Sequence, residues 1–260
     1  MENSLGLSVV EFAVLTCDRK FYILIPINLV FLNKSGGHLR KGPAFTLAEV
    51  IITLGIVGII AAMVVPMLII VTQKKVAETK LKHFYAEINQ AFRLSANDNG
   101  VDVDGWFDNE KNYNEAEMNS FVTDFIKPYM SIAYTKAIER NPQCPNSARI
   151  LVVLNNGTAF SMYVDTNGVD IHFHPDPNKH TYNDPRYSFA FQVAKVKQAG
   201  VYSDYNSMDF VQPYVMNWNG TMRMLKDDSA RGCNRTSRNK QYCTKYIEMN
   251  DWKIPWDYPW

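Results

Sequence analysis

Asp170, His172, His174, Asp176 and His180 bring metal-ligating side chains close together in the chain. Side chains alternate along a strand, so His172 and His174 share a face, the geometry a single ion requires. Pro175 and Pro177 break that run, and we read it as a strand entering a loop rather than a metal centre. Asp165-x-Asn167-Gly168-x-Asp170 offers the oxygens a calcium ion prefers. It lacks EF-hand spacing and the closing Glu, and Asp and Asn are ordinary turn residues. Ser, His and Asp are present in the C-terminal half, yet no Gly-x-Ser-x-Gly elbow links them. Neither catalysis nor a cofactor is expected. Cys233 and Cys243 are separated by ten positions near the C-terminus, a spacing suited to a local disulfide in an oxidising compartment. Cys17 and Cys144 add too few ligands at short spacing for zinc. A net charge of +1 gives no broad electrostatic case for nucleic acid.

The element that organises the chain is apolar. Val50 to Val71 carries no charged residue, and its roughly 22 positions make about 33 Å of helix, enough for a hydrocarbon core of about 30 Å. Glu49 stands at its leading edge, behind the basic residues His38, Arg40 and Lys41. An acid near a membrane core costs about 2.5–3.5 kcal/mol, so it requires a partner or a use. Lysines flank the span on both sides (Lys34 and Lys41, then Lys74, Lys75, Lys80 and Lys82), so charge alone does not orient it. Gly55 and Gly58 admit a close neighbouring helix, and Pro66 predicts a kink.

The run Lys41-Gly42-Pro43-Ala44-Phe45-Thr46-Leu47-Ala48-Glu49 followed by an apolar helix resembles the prepilin signature shared by type IV pilins and type II secretion pseudopilins. Ala44 stands where that family usually has Gly. The resemblance implies cleavage between Ala44 and Phe45 by a prepilin peptidase, with Gly42, Ala44 and Phe45 as the processing residues. It also implies methylation of the Phe45 amine. Cys17 would then leave with the leader. Glu49 and Pro66 would serve assembly, the Glu49 carboxylate meeting the Phe45 amine of a neighbouring subunit. The implied fold is α+β and pilin-like, a long N-terminal helix packed on an antiparallel sheet head. The implied topology is a single pass of the bacterial inner membrane, with the N-terminus cytoplasmic and the head outside.

On this basis 1–44 is a leader, 45–72 the membrane half of the helix, 73–97 its amphipathic half, and 98–260 an extracytoplasmic head with a C-terminal tail. Upstream of Lys34 the leader holds apolar pieces, Val9–Leu15 and Phe21–Leu32, too short to span as helices, and we place them outside the mature fold. Beyond Thr72, Ala77, Leu81, Phe84, Ile88, Ala91 and Ser95 recur at helical spacing, widened by Val76, Tyr85 and Phe92. Lys75, Glu78, Lys82, Asn89 and Arg93 take the other face. Asn97-Asp98-Asn99-Gly100 ends the helix. Asn119 to Tyr134 predicts one more helix, with Phe121, Phe125 and Ile126 inward. Strands are predicted at Arg149–Leu154, Thr158–Val164, Val169–Phe173 and Tyr187–Ala194, the first two joined at Asn155-Asn156-Gly157. Prolines around Trp252, Trp256, Tyr258 and Trp260 predict an extended tail whose aromatic rings are buried.

The function expected is structural: a pseudopilin or minor pilin of a type II secretion or type IV pilus filament. Its partners would be other pilin or pseudopilin subunits, the prepilin peptidase and inner-membrane lipid. The alternative is a single-pass tethered periplasmic binding or sensing module that keeps its anchor.

Overall fold

The computed structural model describes residues 10–16, 19–25, 46–100, 105–106, 112–140, 146–165, 168–193 and 209–260. The chain divides into two compact units, Met1–Gly58 and Ile59–Trp260. In the first, β1 (Val10–Thr16) and β2 (Arg19–Ile25) form an antiparallel hairpin, paired from Val10↔Ile25 to Thr16↔Arg19. Most of the first apolar piece of the expected leader and the start of the second therefore pair as strands, which β-branched and aromatic residues favour, while Val9 and residues 26–32 lie outside the described residues.

Helix α1 runs from Leu47 to Asn99 without interruption at Pro66. Gly100 follows with φ 61°, and its N–H bonds the Ala96 carbonyl, the left-handed stop anticipated from the sequence. In the second unit α1 lays one face on a six-stranded antiparallel sheet: β3 (Ile132–Ile138), β4 (Arg149–Leu154), β5 (Ala159–Asp165), β6 (Gly168–His174), β7 (Phe189–Val193) and β8 (Val211–Pro213). The strands neighbour one another in chain order, a plain meander. Gly157, at φ 78°, turns β4 into β5, as Asn-Asn-Gly predicts.

Period-2 alternation divides the sheet's side chains. Ile150, Val152, Phe160, Met162, Ile171, Phe173, Phe189 and Phe191 form one core with Leu81, Phe84, Ile88 and Phe92 of α1. Phe84 is its centre, stacked on Phe173 at 4.5 Å and within 5.7 Å of the Phe160 and Phe191 rings. Burying such a side chain contributes about 1.5–3 kcal/mol, so this face fixes where α1 lies.

Several expectations are corrected. Val76 is exposed, whereas Asn89 is buried and Glu78 half-buried, because each of the two polar groups meets a backbone partner from a distant segment. The helix expected over Asn119–Tyr134 begins earlier, as α2 (Glu115–Phe121), set by a reciprocal capping box between Asn114 and Glu117. It continues as a π-helical turn, Val122–Ile126, and the residues from Ile132 form β3 instead. That edge strand is exposed along most of its length, so it shows no alternation to read. Phe121 and Ile126 are buried as expected, with Phe125 partly so. The C-terminal region also contains α3 (Met222–Asp227), capped by Thr221, and α4 (Cys243–Met249). The Cys233–Cys243 disulfide is formed and joins α4 to the segment that follows α3.

Candidate functional site

Two regions concentrate features that packing alone does not require. The first is the apolar half of α1. From Leu47 to Val71 its residues are exposed, with only Ala61, Val65 and Ile69 half-buried. It is the one described helix long and apolar enough to cross a membrane, and it marks the chain as membrane-anchored. Its hydroxyls are satisfied internally: Thr53 Oγ1 donates to the Val50 carbonyl and Thr72 Oγ1 to that of Leu68.

At the start of this helix, Thr46 and Glu49 form a capping box. The Glu49 N–H donates to Thr46 Oγ1 at 3.3 Å. In return Glu49 Oε2 accepts from the Thr46 N–H at 2.8 Å and its hydroxyl at 3.0 Å. Thr-x-x-Glu before an apolar run is a legible sequence signal for this arrangement. The cap holds the carboxylate against the N–H and hydroxyl of Thr46. Gly42, Ala44 and Phe45 themselves lie outside the described residues, as does Cys144. Pro66 is exposed within the span.

The second region is the sheet face opposite α1. Here the alternation places Arg149, Ser161, His172 and His174, all buried, on neighbouring strands. Arg149 donates to Ser161 Oγ through Nε (3.1 Å) and Nη2 (2.7 Å). Ser161 Oγ lies 2.9 Å from His174 Nε2, and His174 Nδ1 lies 2.8 Å from the Tyr187 carbonyl. Only the Nδ1-protonated tautomer satisfies both contacts, with the serine hydroxyl donating to Nε2. His172 Nδ1 is 3.3 Å from Ser188 Oγ, and its ring packs 4.6 Å from Tyr182.

Burial holds both imidazoles neutral. It depresses His172 far below the usual histidine range, reinforced by the Arg149 charge. His174 falls to about 3 from the same burial, partly offset by the bond to Tyr187. Desolvation also lowers Arg149, against which the Tyr182 ring stacks at 5.6 Å. His172 and His174 do share a face, as their spacing predicts. His180 instead lies 3.2 Å from the Pro177 carbonyl through Nδ1, and Asp176 pairs with Lys179. Among the described residues no three His, Cys, Asp or Glu side chains come together as a metal would need. In the Asp165–Asp170 loop Asn167 lies outside the described residues, while Asp170 accepts from Tyr163 Oη. The polar layer is thus a lining beneath the 175–188 loop, hydrogen-bonded except at the buried His172 Nε2, and legible only as the off-phase positions of strands read for their apolar ones.

Two long-range polar contacts lock α1 to the head. Asn89 Nδ2 donates to the Val211 carbonyl at 2.9 Å, and the Val211 N–H donates to Asn89 Oδ1 at 2.8 Å. Asp209 accepts from Tyr85 Oη and Arg93 Nη2, both at 2.8 Å. Burial first, then that aspartate, raises the Tyr85 phenol above its ordinary value.

No curated protein and no solved structure matches the chain. A family model does match it over residues 67–260, from the last turns of the apolar helix through the whole head. The chain belongs to that family, a family of unknown function (DUF6613).

Proposed function

We propose that this protein is a pilin-like subunit, a pseudopilin or minor pilin, that enters a filament through the apolar half of α1. The carrying observation is the division of one continuous helix. Its second half is buried on a sheet, while its first half is exposed and carries a single acid at its capped start. In lipid that half is solvated by acyl chains. In a filament the same surface would pack on the helices of other subunits, with Gly55 and Gly58 allowing close approach. The Phe45 amine freed by the peptidase would neutralise Glu49 across subunits.

The capping box sharpens the test. Glu49→Gln keeps a side-chain acceptor for Thr46 and removes only the charge. A filament subunit carrying it inserts in the membrane and fails to co-assemble, while the helix start is retained. Sequencing of the mature N-terminus gives methyl-Phe-Thr-Leu-Ala-Glu for a processed subunit. An intact leader on protein that stays in the membrane and is never recovered in filaments overturns the proposal in favour of a permanently tethered binding or sensing module. Co-assembly of Glu49→Gln at the unsubstituted level overturns the role given to that carboxylate.

A further inference from the structure

The last residues of the chain descend α1 toward its apolar half. The Trp252 ring lies 4.7 Å from Tyr85. Two residues on, the Ile254 N–H donates to Glu78 Oε1 at 2.8 Å. At the terminus the Trp260 ring lies 5.8 Å from Lys74 Nζ. The anchor points fall from Tyr85 to Glu78 to Lys74. At 1.5 Å per residue, Lys74 stands only about 4.5 Å beyond Val71, the last residue of the charge-free run. The headgroup layer on each side of a bilayer is about 5–7 Å thick, so the chain end reaches its level.

Between the Glu78 and Lys74 anchors the chain passes through Trp256, which is 92% exposed. Its support is fixed. Asp257 accepts from Tyr246 Oη at 2.7 Å and pairs with Lys226 at 2.5 Å, and buried Tyr258 donates to the Pro185 carbonyl at 2.6 Å. Pro255 and Pro259 further restrict the backbone. An indole held out into solvent on so rigid a support has no role in the packing of the head. Lys75 and Lys253 stand near the same end, largely exposed, each beside a carboxylate: Glu78 at 3.1 Å and Asp251 at 3.5 Å.

We propose that the Trp256–Trp260 tail is an interfacial anchor, seated among the headgroups of an anionic bilayer where α1 leaves it. Indoles favour that layer because an apolar ring and one N–H donor match its mixed polarity, and lysines beside them match its phosphates. The proposal rests on the membrane span and on no assumption about filaments. Its consequence is mechanical: the head is held against the membrane at a fixed height and rotation.

The test uses the full-length protein in phosphatidylethanolamine–phosphatidylglycerol vesicles with a spin label on the headgroup or deep in the acyl chain. Helix α1 contains no tryptophan, so quenching of indole emission reports on the head alone. The headgroup label is expected to quench more than the deep one. Trp256→Phe is expected to lower the quenchable fraction roughly twofold, since two indoles share the layer. Its exposure predicts an unchanged unfolding midpoint. An unchanged quenchable fraction in Trp256→Phe, in protein that resists carbonate extraction, overturns the tail's role and leaves the span intact. Protein washed off by carbonate overturns both. Protection of Trp256 only when copies associate, without lipid quenching, assigns the tail to a neighbouring subunit and also refutes the proposal.

Discussion

Replacing Asn89 by Ala should detach α1 from the edge of the sheet. Asn89 is 4% exposed and Val211 fully buried, so neither backbone group of Val211 has water to replace the lost amide. Each buried group left unpaired costs about 1–3 kcal/mol, giving about 2–6 kcal/mol for the pair. A domain's whole stability is about 5–15 kcal/mol, so the loss is a large share of it. With a urea slope of about 2 kcal/mol per molar, a loss of about 4 kcal/mol lowers the midpoint by about 2 M. Asn89→Asp should be worse than Ala at neutral pH, because it buries a charge facing the Val211 carbonyl. The exposed neighbour substitution Gln90→Ala should change stability by less than about 0.5 kcal/mol. Urea titration of the detergent-solubilised chain, followed by near-ultraviolet circular dichroism, measures all three. A loss below about 1 kcal/mol for Asn89→Ala would show that Val211 is satisfied otherwise and that the clamp does not close this edge.

Acid should weaken the head through its buried imidazoles. Unfolded histidines titrate near 6.5, whereas His174 folds with a value of about 3 and His172 is also strongly depressed. The unfolded chain therefore binds more protons across that window, and stability, complete above about pH 6.5, falls as pH falls. At about pH 5.5 each histidine accounts for a loss of about 1.4 kcal/mol, and His174→Gln should remove its share of the slope; a flat profile between about pH 7.5 and 5.5 refutes this. Reducing Cys233–Cys243, or replacing both by Ser, should cost about 2–3 kcal/mol for a loop of this length, seen as a lower urea midpoint under dithiothreitol. Glu49→Gln should leave membrane insertion intact and abolish recovery in filaments, read by carbonate extraction and shear-fraction immunoblotting.

What was legible in the sequence was whatever depends on neighbours close along the chain. The charge-free run at Val50–Val71, the helical stripe from Ala77 to Ser95 and the Asn-Asn-Gly turn each announce themselves locally. Burial patterns follow from period, and period is a local property. The four central strands and the short disulfide loop were accessible on the same grounds. The edge strands were not: β3 is largely exposed, and β8 is three residues ending in Pro213, so neither repeats a pattern long enough to recognise. Asn89 and Glu78 look like solvent-facing residues until their positions on α1 meet Val211 and Ile254, more than a hundred residues away. The same holds for Arg149, Ser161 and His174, whose network exists because three strands align in register. Trp256 shows the opposite error, an aromatic residue expected inside that stands 92% exposed. Composition sets what a side chain can do. Only the meeting of distant segments decided which polar groups found partners, because a buried polar group is tolerable just where a complementary group arrives to receive it.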